Sequence, residues 1–260
     1  MRADLHFTPA QADEIAFRDR SVVVIDVLRA STSIVAALSN GARQIIPATT
    51  IEVAAKISGS LFGDAFLRAG ERNGRMIEGF ALGNSPSEFR PDVVRGKSIV
   101  FSSTNGSQAL VKGRFARDLV VCGFVNISAV AAFLQEKQRD FTILCAGNNG
   151  RLSLEDSVCA GMLLHRLPEE HLERSAASDG IVAALALFKT YGKNILKMLK
   201  MSEHGRFLQE IGFREDLDVC AGIDTLPVVP QMQGNVIKMK PEAERKEDAP
   251  LMTSHGDAER

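Results

Sequence analysis

The fold is indicated first by residues 21–38, which read SVVVIDVLRASTSIVAAL. The apolar run at 22–25 is typical of a buried strand, because all four of its residues are β-branched. Asp26 follows at the carboxyl end of that strand, and Arg29 lies just before a predicted helix. A helix start beside a guanidinium suits an anion such as phosphate. The same residues would also form a salt bridge and a helix cap, and the segment alone does not decide between the two.

Strand-like runs alternate with helix-like segments along most of the chain, which predicts an α/β fold. The predicted strands are 22–25, 44–47, 65–68, 98–102, 119–124 and 141–145. The predicted helices are 34–38, 51–57, 108–112, 128–136, 154–167, a long one at 179–201 and a shorter one at 204–211, followed by an extended segment at 219–230. We expect three layers around a largely parallel or mixed sheet, with a ligand site at the carboxyl ends of the strands.

Length and composition set the domain organisation and exclude some partners. The 260 residues suffice for one domain or two closely packed lobes over 1–238, and the charged segment 239–260 is expected to be disordered. The chain has 31 basic and 32 acidic residues, so no overall positive field attracts nucleic acid or an anionic membrane. Tryptophan is absent and tyrosine occurs once, which argues against stacking platforms for single-stranded nucleic acid.

The cysteines and the hydropathy pattern indicate a cytoplasmic protein. Four cysteines lie far apart, without the close pairs of zinc or redox motifs. No signal sequence opens the chain, and no apolar stretch is long enough to span a bilayer. The helix predicted at 179–201 would serve either the core or the interface of a homodimer.

Polar loops after four predicted strands are the candidate site. They carry Asp26, Glu71, the turn Thr104-Asn105-Gly106, and Asp156 after the loop 144–150. The carboxylates of Asp26, Glu71 and Asp156 are oxygen donors suited to magnesium, and Arg29, Thr104 and Asn105 are natural phosphate partners. Each loop alone is also explained by ordinary turns or caps, but four loops at one end of a sheet favour a site.

Familiar phosphoryl-transfer motifs are absent. The chain lacks the phosphate-binding loop that ends in Gly-Lys-Ser or Gly-Lys-Thr. Asp26 has no second aspartate two residues later, and Asp216-Leu217-Asp218 has that spacing but follows a charged loop, so it is discounted. Cys145 and Arg151 match Cys-x5-Arg, which leaves a cysteine nucleophile as a minority hypothesis. His204, between two predicted helices, could also reach the site.

Several segments together resemble the 2-phosphosulfolactate phosphatases from about residue 22 to 230. They are residues 24–32 (VIDVLRAST), Gly70-Glu71-Arg72, Gly83-Asn84-Ser85-Pro86, Thr104-Asn105-Gly106-Ser107, Glu155-Asp156 and Cys159-Ala160-Gly161. The resemblance implies a magnesium-dependent phosphatase with an α/β fold, acting on small phosphorylated 2-hydroxy acids. In that family the product sulfolactate feeds coenzyme M synthesis.

The resemblance also suggests roles for individual residues. Magnesium would be held by Asp26 with Glu71 or Asp156, and Arg29 with the turn 104–106 would stabilise charge on the phosphoryl oxygens. Attack would come from Asp26 or from a water on the metal. Phosphate contacts are expected from Arg29, Ser31, Thr32, Thr104, Asn105 and Gly106. Arg72, Asn84 and Ser85 would bind the carboxylate or sulfonate end.

Two other functions remain compatible with these residues. A non-catalytic protein could bind a phosphorylated metabolite with the same arginine, hydroxyls and glycines. Another phosphotransfer enzyme or a lyase could act on a phosphorylated hydroxy acid. Three acids around an anion site favour a metal enzyme, because a cation offsets their repulsion.

Overall fold

The computed structural model describes residues 1–59, 65–168 and 178–239. Within these ranges the strands are β1 (Ala3–His6), β2 (Ser21–Ile25), β3 (Gln44–Pro47), β4 (Phe66–Arg72), β5 (Arg75–Met76), β6 (Ser98–Ser102), β7 (Asp118–Cys122), β8 (Phe141–Cys145), β9 (Pro230–Gln233) and β10 (Val236–Met239). The helices are α1 (Ala30–Ser39), α2 (Ile51–Gly59), α3 (Pro91–Val94), α4 (Gly106–Lys112), α5 (Ile127–Lys137), α6 (Leu154–His165), α7 (Asp179–Tyr191), α8 (Ile195–Met201), α9 (Glu203–Glu210) and α10 (Arg214–Cys220).

The strands form one mixed sheet in the order β1-β8-β2-β7-β9-β10-β3-β6-β4-β5. One group, β1-β8-β2-β7, is parallel throughout, and so is a second group, β3-β6-β4. The hairpin β9–β10 lies between them and pairs antiparallel with β7 and with β3. The predicted α/β fold with a largely parallel or mixed sheet is therefore confirmed.

The hairpin sets the relative direction of the two parallel groups. Three antiparallel pairings separate the two parallel groups, so the groups run in opposite directions in the sheet order. Loops from both groups nevertheless meet, as in the hydrogen bond from Asn149 N to Asn105 Oδ1 at 3.2 Å.

Helices cover both faces of the sheet, and β2 shows why. Its five residues are all buried, and successive side chains point to opposite faces. Val23 and Ile25 pack in a cluster with residues of α5 and α6. Val22 and Val24 pack in a second cluster with residues of α1 and α4. The continuous apolar run is thus the signature of a strand between two helical layers.

Several predicted element boundaries were wrong. The long helix at 179–201 is two helices, because the chain breaks after Tyr191 and the Asn194 side chain caps α8 by accepting from Lys197 N at 2.9 Å. The extended segment at 219–230 begins inside α10. Strands β1, β5, β9 and β10 were not predicted, since they are short and depend on their partners.

The domain boundaries stay a prediction. The segment from residue 240 onward lies outside the described residues, and Met239, which we assigned to the tail, is the last residue of β10. The choice between one domain and two packed lobes is untested. In the described part of the chain, no helix is long and apolar enough to cross a membrane.

Candidate active site

A cavity of about 270 Å³ lies where the two parallel groups meet. Its wall comes from the loops after β2, β4, β5, β6 and β8 and from α9, which belongs to the C-terminal helices. The wall residues are Asp26, Leu28, Arg29, Glu71, Asn73, Gly74, Asn84, Thr104, Asn105, Asn148, Asn149, Glu203, His204 and Phe207. The predicted loops therefore do converge in space. The prediction that they lie at one end of the sheet was wrong, because β2 and β8 run opposite to β4 and β6.

Asp26 follows β2 directly and is buried, with 7% of its surface exposed. Its backbone is fixed at the start of α1, because Asp26 N donates to Ser31 Oγ at 2.9 Å and Ser31 N donates to Asp26 O at 2.8 Å. Burial raises the pKa of this carboxyl to about 7, and the negative charge of Glu71 adds to the rise. Asp26 can therefore exchange a proton near neutral pH.

Glu71 lies at the end of β4 and connects two loops of the cavity wall. Its Oε1 accepts from Thr104 N at 2.8 Å and its Oε2 accepts from Gly74 N at 2.9 Å. Each carboxylate oxygen has a second lone pair, so Glu71 can hold the loops and still face a cation in the cavity.

Arg29 is buried and fixed by three contacts. Its Nη1 donates to Asp216 Oδ2 at 2.7 Å and its Nη2 donates to Gly74 O at 2.7 Å. Its Cζ lies 4.3 Å from the centre of the Phe213 ring. Among the described residues, Arg29 is the one lysine or arginine on the wall of the cavity.

Two buried polar atoms of wall residues have no hydrogen-bond partner within the described structure. They are Thr104 Oγ1 and Asn84 Oδ1. A buried polar atom without a partner costs about 1–3 kcal/mol. Because both residues line the cavity, a bound ligand is the natural partner for these atoms.

Asp156 lies behind the wall and holds two loops together. Its Oδ1 accepts from Val27 N at 2.9 Å and its Oδ2 accepts from Gly147 N at 3.1 Å. Burial raises the pKa of Asp156 well above its ordinary value, and the charges of Asp26 and Glu155 raise it further. The structure thus places Asp156 near Asp26 but does not place it among the residues that line the cavity.

The small residues of the predicted phosphate site divide into two sets. Thr104 and Asn105 are on the wall. Ser31 accepts from Asp26 N, and Thr32 Oγ1 donates to Val27 O at 3.0 Å, so their hydroxyls stabilise the strand-to-helix turn. A Cβ atom on Gly106 would lie 2.6 Å from Asp26 Oδ2, so glycine allows the close approach of α4 to this carboxylate.

The residues predicted for the acid end of a substrate are also separated. Asn84 is on the wall, whereas Ser85 Oγ donates to Asp216 Oδ1 at 2.6 Å. Arg72 does not line the cavity, because its guanidinium donates to Glu71 O at 2.7 Å and to Ser102 Oγ at 3.0 Å. Both Ser85 and Arg72 therefore support the wall from behind.

Sequence reasoning missed several residues of the site. Glu203 and Phe207 line the cavity, and Asp216 holds Arg29 from behind the wall. Asn73 also lines the cavity, in a polar loop that the sequence had indicated without giving this asparagine a role. The signal for Asp216 was an acid on the buried stripe of a short helix, beside Leu217 and Cys220. The remaining wall residues lie in the polar loops that the sequence analysis had proposed as the candidate site; they are Leu28, Gly74, Asn148 and Asn149.

His204 does reach the cavity, as its position between two helices had suggested. Burial lowers the pKa of His204, and the positive charge of Arg29 lowers it further. His204 is therefore mainly neutral at pH 7. A neutral imidazole offers one donor and one acceptor to a ligand.

The minority hypothesis of a cysteine nucleophile gains no support. Cys145 is fully buried as the last residue of β8 and is not among the residues that line the cavity. Burial raises the pKa of its thiol well above the ordinary value, and the charge of Asp156 adds to this. A thiol in such surroundings is not the reactive thiolate.

The oxygen-rich wall suits a magnesium ion with few protein ligands. No group of three His, Cys, Asp or Glu side chains within residues 1–59, 65–168 and 178–239 could hold one ion. Magnesium commonly uses one or two carboxylates together with waters and substrate phosphate. Asp26 and Glu71, two carboxylates on the wall of the cavity, fit that pattern.

Comparison with known proteins gives one consistent family. A family model described as 2-phosphosulpholactate phosphatase matches residues 6–235. Proteins named probable 2-phosphosulfolactate phosphatase include one from Caldanaerobacter subterraneus subsp. tengcongensis, which is 38% identical over 85% of this chain and 91% of its own length. The similarly named protein of Thermotoga maritima is 40% identical over 85% and 92%. That of Clostridium acetobutylicum is 33% identical over 89% and 97%.

Proposed function

The chain belongs to the 2-phosphosulfolactate phosphatase family, and on that premise we propose that its cavity hydrolyses the phosphomonoester of a small 2-phospho-hydroxy acid. 2-Phosphosulfolactate, which would give sulfolactate and phosphate, is the substrate that the family name suggests. The observation that carries the proposal is the buried carboxyl of Asp26, with a pKa near 7, facing Glu71 and Arg29 across one cavity. The resemblance noted in the sequence is confirmed by the family match.

The charges on the wall support a divalent cation. The wall holds the carboxylates of Asp26, Glu71 and Glu203, and the charge of Arg29 is already balanced by Asp216. A phosphorylated acid brings further negative charge, which these walls would repel without a cation. We therefore propose magnesium on Asp26 and Glu71. When bound there, it would polarise the phosphoryl group and neutralise negative charge.

Asp26 is the residue best placed to react. Its carboxylate either attacks phosphorus directly, giving an acyl phosphate that water then hydrolyses, or takes a proton from an attacking water. In both cases the P–O bond to the hydroxy acid breaks, and the hydroxy acid leaves as the alcohol after taking up a proton. The carboxyl is held in place by the turn into α1, since Ala30 N donates to Asp26 Oδ1 at 3.4 Å. This turn keeps the carboxylate aimed at one position in the cavity.

Arg29 and Thr104 are placed to bind the phosphoryl oxygens. The guanidinium of Arg29 donates two hydrogen bonds to the described residues, to Asp216 and Gly74, of the five that an arginine can donate. The Thr104 hydroxyl is buried and unpartnered. Donors fixed before the reaction stabilise charge that develops on oxygen without reorganisation.

The acid end of the substrate would lie against neutral groups. Asn84, Asn148 and His204 line the cavity and can hydrogen-bond to a carboxylate or sulfonate. Arg72 and Ser85, which the sequence favoured for this task, point to other partners. We therefore propose amide and imidazole contacts at this end.

Phosphate release tests the proposal directly. Purified protein is incubated with Mg²⁺ and a panel of phosphorylated 2-hydroxy acids that includes 2-phosphosulfolactate, and free phosphate is measured. We expect release by the wild type and a loss of about 10³-fold or more in Asp26→Asn, as for removal of a reacting group. Asp92→Asn, at an exposed carboxylate, is the matched control and should leave the rate unchanged. Absence of release across the whole panel would contradict the proposal.

A quench experiment separates the two roles of Asp26. Direct attack forms an acyl phosphate on the carboxylate, which survives rapid acid quenching and is cleaved by hydroxylamine. Enzyme in excess over phosphate-labelled substrate is quenched within one turnover and analysed for labelled protein. Hydroxylamine-sensitive label supports attack by Asp26, whereas unlabelled protein at full turnover supports attack by water.

Location, pathway and assembly are further proposals. The four cysteines are free and buried, which fits a reducing compartment such as the cytoplasm. That the product feeds coenzyme M synthesis is an expectation from the family. A homodimer also stays a prediction, which sedimentation velocity would test.

A further inference from the structure

We propose that Asp216, on α10, is a positioning residue that orients the Arg29 guanidinium for binding phosphoryl oxygens. The proposal rests on the proposed function and deepens it. Asp216 is not among the residues that line the cavity, so it would act through Arg29 and would not touch the substrate. In the sequence it belonged to the Asp216-Leu217-Asp218 motif, which had no assigned role.

Both carboxylate oxygens of Asp216 accept hydrogen bonds from residues beside the cavity. One carboxylate oxygen, Oδ2, accepts from Arg29 Nη1 at 2.7 Å, and the other, Oδ1, accepts from Ser85 Oγ at 2.6 Å. Asp216 and Arg29 have exposed side-chain fractions of 5% and 2%. Separation of a buried charge pair is costly, because each charge would then be buried without a partner.

The remaining contacts of Arg29 make the orientation unique. Gly74 O accepts from Nη2 at 2.7 Å, and the Phe213 ring covers one face at 4.3 Å from Cζ. A planar fork held at both terminal nitrogens and on one face cannot rotate within its site. Asp216 lies on α10 and Phe213 just before that helix, whereas Gly74 comes from the turn between β4 and β5. The orientation of Arg29 thus depends on the packing of three distant segments.

Two substitutions at Asp216 show whether the position of its oxygens or its negative charge matters for kcat/KM. Asparagine keeps an oxygen for Arg29 and a polar group for Ser85, whereas glutamate keeps the charge but is longer by one methylene group and displaces the guanidinium. If Asp216 acts by positioning, Asp216→Asn retains more kcat/KM than Asp216→Glu. If only its charge matters, the order is reversed, and that result would overturn the proposal.

Asp216→Ala measures how much kcat/KM depends on the Asp216 side chain. A double variant with Arg29→Ala shows whether that dependence acts through Arg29. We expect a loss of about 10²-fold in kcat/KM, the size expected for a group misplaced by about 1 Å. In the background of Arg29→Ala, the same substitution should cost less than about threefold, because interacting residues are not additive. Full additivity would show that Asp216 acts independently of Arg29. Asp218→Ala, at an exposed position on the same helix, is the matched control.

Binding of inorganic phosphate separates this proposal from the proposed function. Calorimetry with phosphate and Mg²⁺ needs no turnover, and we expect weaker binding in Asp216→Glu than in Asp216→Asn. If the wild type binds phosphate but hydrolyses no substrate of the panel, the proposed function is wrong. The phosphate affinities of Asp216→Asn and Asp216→Glu then still decide whether Asp216 positions Arg29. Equal phosphate affinity in all the variants would overturn the positioning role. If Asp216→Ala does not fold, the ranking of asparagine and glutamate decides alone.

Discussion

The hydroxyl of Thr104 has a structural cost that only a ligand can offset. Oγ1 is buried without a partner in the described structure, so Thr104→Val removes no hydrogen bond and replaces a polar atom with a methyl group. We expect thermal stability to be unchanged or higher, while kcat/KM falls about tenfold, through loss of one hydrogen bond to the ligand of roughly 1.4 kcal/mol. Thermal unfolding and steady-state kinetics measure the two effects.

A matched control shows that threonine to valine is otherwise harmless. Thr190 Oγ1 bonds to Ala186 O on the exposed face of α7, and Thr190→Val should leave kcat/KM unchanged. If Thr104→Val keeps the full rate and affinity, Thr104 does not contact the substrate.

The raised pKa of Asp26 predicts how stability depends on pH without metal. The pKa is about 7 in the folded chain, against 3.8 as the ordinary value. Between these values the folded chain binds a proton that the unfolded chain has lost, so the free energy of unfolding falls as pH rises. The rise in pKa corresponds to at most roughly 4 kcal/mol.

Asp26→Asn removes this pH dependence. In a chelating buffer, we expect the variant to be more stable than the wild type at pH 8 and close to it at pH 4. Urea unfolding at both pH values measures the difference in free energy. If the wild type is the more stable protein at pH 8, the pKa of Asp26 is not raised. Added Mg²⁺ should stabilise the wild type more than the variant.

At the scale of elements, α4 must approach Asp26 closely. A Cβ atom at Gly106 would lie 2.6 Å from Asp26 Oδ2 and 2.7 Å from Ala30 Cβ. Gly106→Ala should therefore push α4 away from β2 and lower kcat/KM by about 10²-fold, the cost of displacing reacting groups by about 1 Å. Gly59→Ala, where a Cβ atom would meet nothing within 4 Å, is the control. An unchanged rate in Gly106→Ala would contradict the tight packing of α4 on Asp26.

The elements that could be predicted from sequence are those with strong local signals. The apolar run of β2, followed by Asp26 and a helix, was evident because a strand covered on both faces has no position that faces solvent. Glu71 could be assigned to the site but not to its two partners, because Thr104 N and Gly74 N become neighbours only in the folded sheet. Asp216 was discounted because its motif follows a charged loop, and its contact with Arg29, 187 positions away, forms only in the folded chain.

At the scale of the molecule, the hairpin β9–β10 connects the two parallel groups. Its described pairings outside itself are Val120 with Gln231 and Ile45 with Ile237. Ile237 is fully buried in the cluster beneath α1 and α4. Ile237→Ala should therefore lower the free energy of unfolding by about 2–5 kcal/mol. Urea denaturation measures this, with Ile15→Ala, at a residue that is 68% exposed, as the control.

If Ile237→Ala lowers the free energy of unfolding by less than about 0.5 kcal/mol, packing of the hairpin does not stabilise the junction between the two parallel groups. The order of the strands could not be predicted from sequence, because the residues that join the two groups lie more than a hundred positions from their partners in β7 and β3. The sequence of residues 230–239 contains no local pattern that indicates which strands β9 and β10 pair with. The convergence of the loops was predictable, but the oppositely directed groups behind it were not.

The asparagines around the cavity have a chemical consequence for the lifetime of the protein. Three of the five wall asparagines precede glycine, at Asn73-Gly74, Asn105-Gly106 and Asn149-Gly150. In this dipeptide the unhindered glycine nitrogen attacks the side-chain carbonyl carbon of asparagine and ammonia is released, and addition of water to the resulting succinimide leaves aspartate or isoaspartate. Deamidation would thus add negative charge where an oxyanion must enter. During storage in solution, the protein would then lose affinity for its substrate before it unfolds.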